Sequence, residues 1–223
     1  MSRENITAVI FDMDGLMFDT EMTCYESYLK ATAEEQRDLP LAVYKRTIGL
    51  NRAGVKAVYM EYFDGDEAFV DRIMAKEAEY SLQYVRDYGV PKKAGLDSLL
   101  AYLEESGIKA AVASSSNRET VVDLIERAGI RSSFSAVCCG DEVRESKPHP
   151  EIFLRAAEML DAATKNALVL EDSKNGLKAA KTAGIRSILI PDMLDPNDEM
   201  LSLCTKVCKS LSEVPAYIDG VNA

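Results

Sequence analysis

The apolar run Ile6-Thr7-Ala8-Val9-Ile10-Phe11 leads directly into Asp12-Met13-Asp14-Gly15. A continuous apolar run, unlike an alternating one, fits a strand covered on both faces. Carboxylates at the end of such a strand are costly unless a counter-charge, a metal or a set of backbone donors receives them. The stretch therefore asks for a buried parallel sheet, and for a positively charged partner along one of its edges.

Similar short runs recur at 109–113, 134–138, 167–170 and 187–190. Helical patterns lie between them at 95–105, 118–128, 151–160 and 176–183, and Gly107, Gly129 and Gly184 stand just past three of these ends. Strand-helix repetition of this kind predicts an α/β fold with a Rossmann-like, mostly parallel five-stranded core and helices on both faces. Residues 18–89 break the rhythm. Tyr25, Tyr28 and Leu29, then Val55, Val58, Tyr59, Tyr62 and Phe63, then Phe69 and Ile73 recur at helical spacing with no strand among them. The tyrosines read as packing residues, and Pro40 and Gly49 mark breaks between helices. The expected organisation is a core of 1–17 and 90–223 with an all-helical insert at 18–89. Beyond Pro191, helix-like patterning returns at Met200–Cys208 and is expected to dock on the core.

A formal charge of -11 argues against nucleic acid or an anionic membrane as partner. No long apolar segment follows Met1, so neither a secretory signal nor a membrane span is expected. The five cysteines form no CxxC pair and His149 is the only histidine, which disfavours zinc and suits a reducing, cytoplasmic compartment. Nothing in the chain calls for an obligate protein partner.

In open parallel sheets, ligands bind outside the carboxyl ends of the strands. The polar residues at those ends are Asp12 and Asp14, then Ser114 to Asn117, Asp141 and Glu142, and Glu171 and Asp172, with Lys147 in the loop that follows Asp141 and Glu142. Asp12, Asp14 and Asp172 offer hard oxygen ligands without imidazole or thiolate, which suits magnesium. A phosphate ester then accounts for cation and hydroxyl beside so many acids: Lys147 neutralises phosphate charge, and Ser114 with nearby backbone donors holds its oxygens. An aspartate needs no histidine base to act as a nucleophile. The competing phosphate-binding loop GxxxxGK[ST] is absent, and the acids of Asp12 to Glu21 lack the spacing of a calcium loop.

Four stretches in order, "DMDGLMFDTE", "VASSSN", "SKPHPEIF" and "LEDSKNGLKAAKTAG", make nearly the whole chain resemble the haloacid dehalogenase superfamily, specifically its phosphatases and phosphomutases with a helical cap inserted after the first strand. The resemblance implies Asp12 as nucleophile and Asp14 as general acid and then base. It implies Ser114 as the phosphate-binding hydroxyl, Lys147 as the residue orienting phosphate and nucleophile, and a magnesium site of Asp12, the Asp14 carbonyl and Asp172 with Glu171 in support. An aspartyl phosphate on Asp12 would form and be hydrolysed. The second aspartate favours phosphoryl transfer over dehalogenation.

The cap is expected to select the leaving group. Arg52 and Lys76 match cap positions of the family, and Cys24 stands where the beta-phosphoglucomutases carry a histidine; Asn117 is the core's candidate for a specificity contact. Ser146 and Ala94 replace a glycine and a proline common in the family and read as loop variation. Thr20, at the start of the insert, reads as a helix cap. The expected activity is a magnesium-dependent phosphatase acting on a small phosphorylated metabolite such as a sugar phosphate. The alternatives are a phosphomutase, disfavoured by Cys24, and a non-catalytic binding or regulatory protein on the same scaffold.

Overall fold

The computed structural model describes residues 5–48, 50 and 52–223; the break expected at Gly49 lies outside them. The chain divides into two compact units, 1–18 with 92–223, and 19–91.

The first unit is built on a parallel sheet of β1 (Ala8–Phe11), β2 (Lys109–Ser114), β3 (Ala136–Cys139), β4 (Ala167–Glu171), β5 (Arg186–Leu189) and β6 (Lys206–Val207). The spatial order is β3-β2-β1-β4-β5-β6. Every residue of β1, β3 and β4 is buried, as their unalternating apolar sequences require. The flanking helices are α5 (Leu96–Glu105), α6 (Arg118–Arg127), α7 (Glu151–Met159) and α8 (Lys174–Thr182), with α9 (Asp198–Leu203) and α10 (Val214–Asn222) toward the C-terminus. Ile152, Phe153, Ala156 and Ala157 of α7 pack with Ala8, Ile10, Ala111 and Val169 in one continuous core.

The sheet has six strands where the sequence predicts five. The extra one falls inside the stretch 200–208 that reads as helical. There the helix ends early, as Cys204 N–H bonds back to Met200, and Thr205 and Cys208 donate to Ser187 and Leu189 instead. A strand of two exposed residues has no alternation to read, and its pairing with Ile188 and Leu189 is set by the neighbouring strand.

Among the described residues of the second unit the regular elements are all helices, with labels that precede those above in the chain: α1 (Thr20–Ala33), α2 (Leu41–Tyr44), α3 (Arg52–Tyr62) and α4 (Glu67–Tyr88). Its interior is aromatic. Tyr28 meets Tyr59 with ring centroids 5.0 Å apart, and Phe63 meets Phe69 at 4.7 Å, both edge-on. Asp19, not Thr20, occupies the position before α1, and no side chain caps it. Among the described residues no helix is long and apolar enough to cross a membrane.

Candidate active site

Register brings the acids together. Phe11 is level with Val112 on one side and Leu170 on the other. The next residues are therefore Asp12, Ala113 and Glu171, and the ones after bring Ser114 and Asp172 to the same edge. Asp12 N–H continues the ladder by donating to Leu170 O at 3.0 Å. Gly15 then turns the chain at φ +78°, with its N–H bonded to Phe18 O at 3.1 Å. A Cβ there would lie 2.4 Å from Oδ2 of Asp172, so this position needs glycine both for its conformation and for the space the acids occupy.

Lys147 is the counter-charge that the strand end demands. Its Nζ, on a side chain only 6% exposed, donates to Oδ1 of Asp12, to Oε1 of Glu171 at 2.8 Å and to Ala113 O at 3.1 Å. Burial alone would pull the ammonium down, but the charges of Asp12 and Glu171 outweigh it and hold Lys147 protonated. Glu171 is fully buried and its other oxygen is also taken, accepting from the N–H and Oγ of Ser173 at 2.8 Å each. Burial pushes the Asp12 carboxyl up to about 7, against the pull of Lys147 and with Glu171 adding to the rise. Asp172 is driven well above the usual carboxylate range by burial and then by the negative charges of Glu171, Asp12 and Asp192.

Asp14 is held by a neighbouring loop. Oγ of Ser116 donates to its Oδ2 at 3.0 Å, while Ser116 N–H donates to Oγ of Ser114 at 3.1 Å. Burial raises the Asp14 carboxyl, and the Ser116 bond, Lys147 and Ser114 moderate the rise. Ser114 itself is completely buried at the end of β2.

The donor set fits a hard divalent cation. One carboxylate oxygen each from Asp12, Glu171 and Asp172 lie within 4.8 Å of one another, and burial of so much negative charge is relieved by a cation. With both oxygens of Glu171 already engaged, Asp12 and Asp172 are the carboxylates with capacity to spare.

Asn117 is exposed and its Oδ1 accepts from Thr120 N–H at 2.9 Å, capping α6. In the helical unit, Lys76 is ion-paired with Glu34, which also accepts from Tyr80. Arg52 opens α3 and is exposed. The Cys24 thiol is raised by burial and then by Glu77, with Tyr44 as hydrogen-bond neighbour. His149 is exposed and lies 3.0 Å from Glu145. All five cysteines are free thiols.

Two residues at the sheet edge escape sequence reading. Asp192, three positions past β5, and Lys93 form a salt bridge on side chains 9% and 20% exposed. The rule that placed the other acids at strand ends also applies to β5, and would have picked out Asp192. Lys93 offers no such signal, because its loop is brought there by long-range bonds such as that from its N–H to Met17 O at 2.9 Å.

The model of the haloacid dehalogenase-like hydrolases matches residues 9–190. A phosphorylated carbohydrates phosphatase of Thermotoga maritima is 30% identical over 184 residues, spanning 81% of this chain and 83% of that protein. Hexitol phosphatase B of Escherichia coli K12 is 29% identical over 220 residues, 95% of each chain. Among solved structures, CbbY from Rhodobacter sphaeroides in complex with phosphate superposes with a TM-score of 0.70 at 25% identity, over 94% of this chain and 96% of that one. The match across most of the chain, on a parallel sheet whose carboxyl edge gathers Asp12, Asp14, Ser114, Lys147 and Asp172, makes this protein an enzyme of the haloacid dehalogenase-like hydrolase family.

Proposed function

We propose that the protein is a magnesium-dependent phosphatase that hydrolyses a phosphorylated carbohydrate through an aspartyl phosphate on Asp12. The observation that carries this reading is Asp12 itself, a buried carboxylate fixed by Lys147 and set beside Asp172, with a second acid two residues on. One relative is named a phosphorylated carbohydrates phosphatase and another a hexitol phosphatase, which supports the substrate class.

Asp12, Asp172 and the Asp14 carbonyl would hold the cation, with Glu171 acting through Lys147. When bound, magnesium supplies charge neutralisation to the phosphoryl oxygens and to the surrounding carboxylates. An Asp12 oxygen attacks phosphorus, the ester P–O bond breaks, and Asp14 gives its proton to the departing sugar oxygen. Asp14, now a carboxylate, takes a proton from the water that attacks the aspartyl phosphate. Cleavage of the Asp12–phosphoryl bond then returns the carboxylate and inorganic phosphate. Lys147 holds Asp12 at one oxygen while carrying charge toward the phosphoryl group, and the Ser114 hydroxyl donates to a phosphoryl oxygen. Burial keeps Asp14 protonated more readily than an exposed acid, as the first step requires.

Selection of the leaving group is assigned to Arg52, Lys76 and the Cys24 neighbourhood in the cap, with Asn117 from the core. A phosphomutase is the second reading, since sugar phosphates serve both. The raised thiol of Cys24 is a neutral group and no proton-handling base, which favours hydrolysis. With five free thiols, we place the enzyme in the cytoplasm.

Phosphate release from a panel of sugar, polyol, nucleotide and carboxylated esters tests the proposal. Turnover should be abolished by EDTA, restored by magnesium, and reduced at least ~10⁴-fold in Asp12→Asn. Undiminished turnover by that folded variant would remove Asp12 from the nucleophile role. Conversion of beta-glucose 1-phosphate to glucose 6-phosphate without free phosphate, given a sugar bisphosphate primer, would establish the mutase instead.

A further inference from the structure

Asp192 combines three features that an ordinary surface ion pair does not. Its side chain is 9% exposed, one of its oxygens is fully spoken for, and the other has nothing. Oδ1 accepts from Lys93, whereas Oδ2 is buried with no hydrogen-bond partner. A buried carboxylate oxygen left unpaired carries its full desolvation cost, so the fold keeps it bare only if something else supplies a donor.

The direction of that oxygen is fixed by Gly15. From the point where a Gly15 Cβ would sit, Oδ2 of Asp172 is 2.4 Å away and Oδ2 of Asp192 is 3.2 Å away. Both oxygens thus approach the one point that a side chain at position 15 would occupy, and glycine there leaves them room. Glu171 cannot compete for a ligand there, because Lys147 and Ser173 already occupy both its oxygens. The unmet demand at this edge belongs to Asp192.

We propose that Asp192 is a further acidic residue of the divalent-cation site, with Oδ2 receiving the water shell of the cation held by Asp172, and with Lys93 fixing the carboxylate through Oδ1. This rests on the magnesium reading above. Magnesium gives up its water reluctantly and so brings O–H donors with it, and these are what Oδ2 lacks. Asp192 acts as a positioning residue: it touches neither substrate nor phosphorus. Lys93 has a second effect. As a fixed cation beside the site, it opposes the charge of the metal and sets how tightly the metal is held.

The test is metal binding without substrate. Manganese titration followed by the spin resonance of the free ion, and magnesium-dependent thermal shift, are measured on the native chain, Asp192→Asn and Lys93→Met, with stability in EDTA recorded for each. Asp192→Asn should bind at least tenfold more weakly while its stability in EDTA is unchanged or higher, in line with the cost of losing an outer partner of a metal site. Lys93→Met should be less stable in EDTA yet gain more from magnesium than the native chain, because the competing ammonium is gone. Affinity of Asp192→Asn within twofold of native, or a magnesium response of Lys93→Met no greater than native, would make the pair a structural ion pair and overturn the assignment. Failure of the native chain to bind either ion would overturn the magnesium reading and this inference together, whereas tight native binding indifferent to both substitutions removes Asp192 alone. If Asp192→Asn does not fold, the Lys93→Met result decides.

Discussion

Gly176 on α8 stands so close to Glu171 that a Cβ on it would lie 1.7 Å from Oε1, the oxygen that accepts from Lys147. Alanine inside a helix ordinarily stabilises relative to glycine by about 0.5–1 kcal/mol. Here the methyl group must displace a carboxylate that has no room to move, since its other oxygen is tied to Ser173. Gly176→Ala should therefore lower the melting temperature, and should reduce phosphate release by roughly tenfold or more as Lys147 loses its anchor. A melting temperature above that of the native chain would show that Glu171 does not fix Lys147.

Ser116 provides the second prediction. Its hydroxyl donates to Oδ2 of Asp14 at 3.0 Å and thereby favours the carboxylate form. Ser116→Ala removes that donor, so the Asp14 carboxyl should rise further and the limb of the rate profile that it governs should move to higher pH. The loss in kcat should stay below about a hundredfold, because the acid itself remains and general acid–base catalysis as a whole is worth ~10²–10⁴-fold. An unmoved profile would mean that Asp14 is not the group that titrates.

The parts of this arrangement that were legible in the sequence are those carried by local pattern. Buried strands announce themselves as apolar runs, and once β1 and β4 are known to be parallel neighbours, Asp12 and Asp172 must share an edge. Contacts made by long-range closure were not legible. Nothing near Lys93 points to Asp192, which is 99 positions away. Nothing in "VASSSN" distinguishes Ser114 from Ser116, because which hydroxyl reaches Asp14 depends on how the chain bends after β2. The sixth strand is likewise imposed by Ile188 and Leu189 and not by its own two residues.

The metal-free enzyme should lose stability as pH rises. Asp12 is lifted from 3.8 to about 7, so between those values the folded chain holds a proton that the unfolded chain has released. Raising the pH through this window therefore weakens folding, and Asp14 and Asp172 act in the same direction. Melting temperatures in EDTA should fall from about pH 5 to about pH 8, and Asp12→Asn should flatten part of the slope. Magnesium should stabilise more at the upper end than at the lower, where protons compete with it. A rise across the same range would show that ionised Asp12 is a net asset to the fold.

The last prediction separates two roles for Asn117. Its Oδ1 accepts from Thr120 N–H at the start of α6, a capping bond whose loss to alanine costs about 1 kcal/mol in typical helices. Aspartate caps as well as asparagine and adds charge that the helix start favours. Asn117→Ala should consequently lower the melting temperature while Asn117→Asp leaves it unchanged or raised. Capping alone predicts that Asn117→Asp also treats all phosphate esters as the native chain does. If Asn117 in addition reads the leaving group, the added negative charge should discriminate against carboxylated esters relative to polyol esters. The difference in kcat/KM would then be roughly tenfold, equivalent to about 1.4 kcal/mol, on a protein whose stability has not moved. Equal kcat/KM ratios across the panel would confine Asn117 to the helix start and leave selection to Arg52, Lys76 and the surroundings of Cys24.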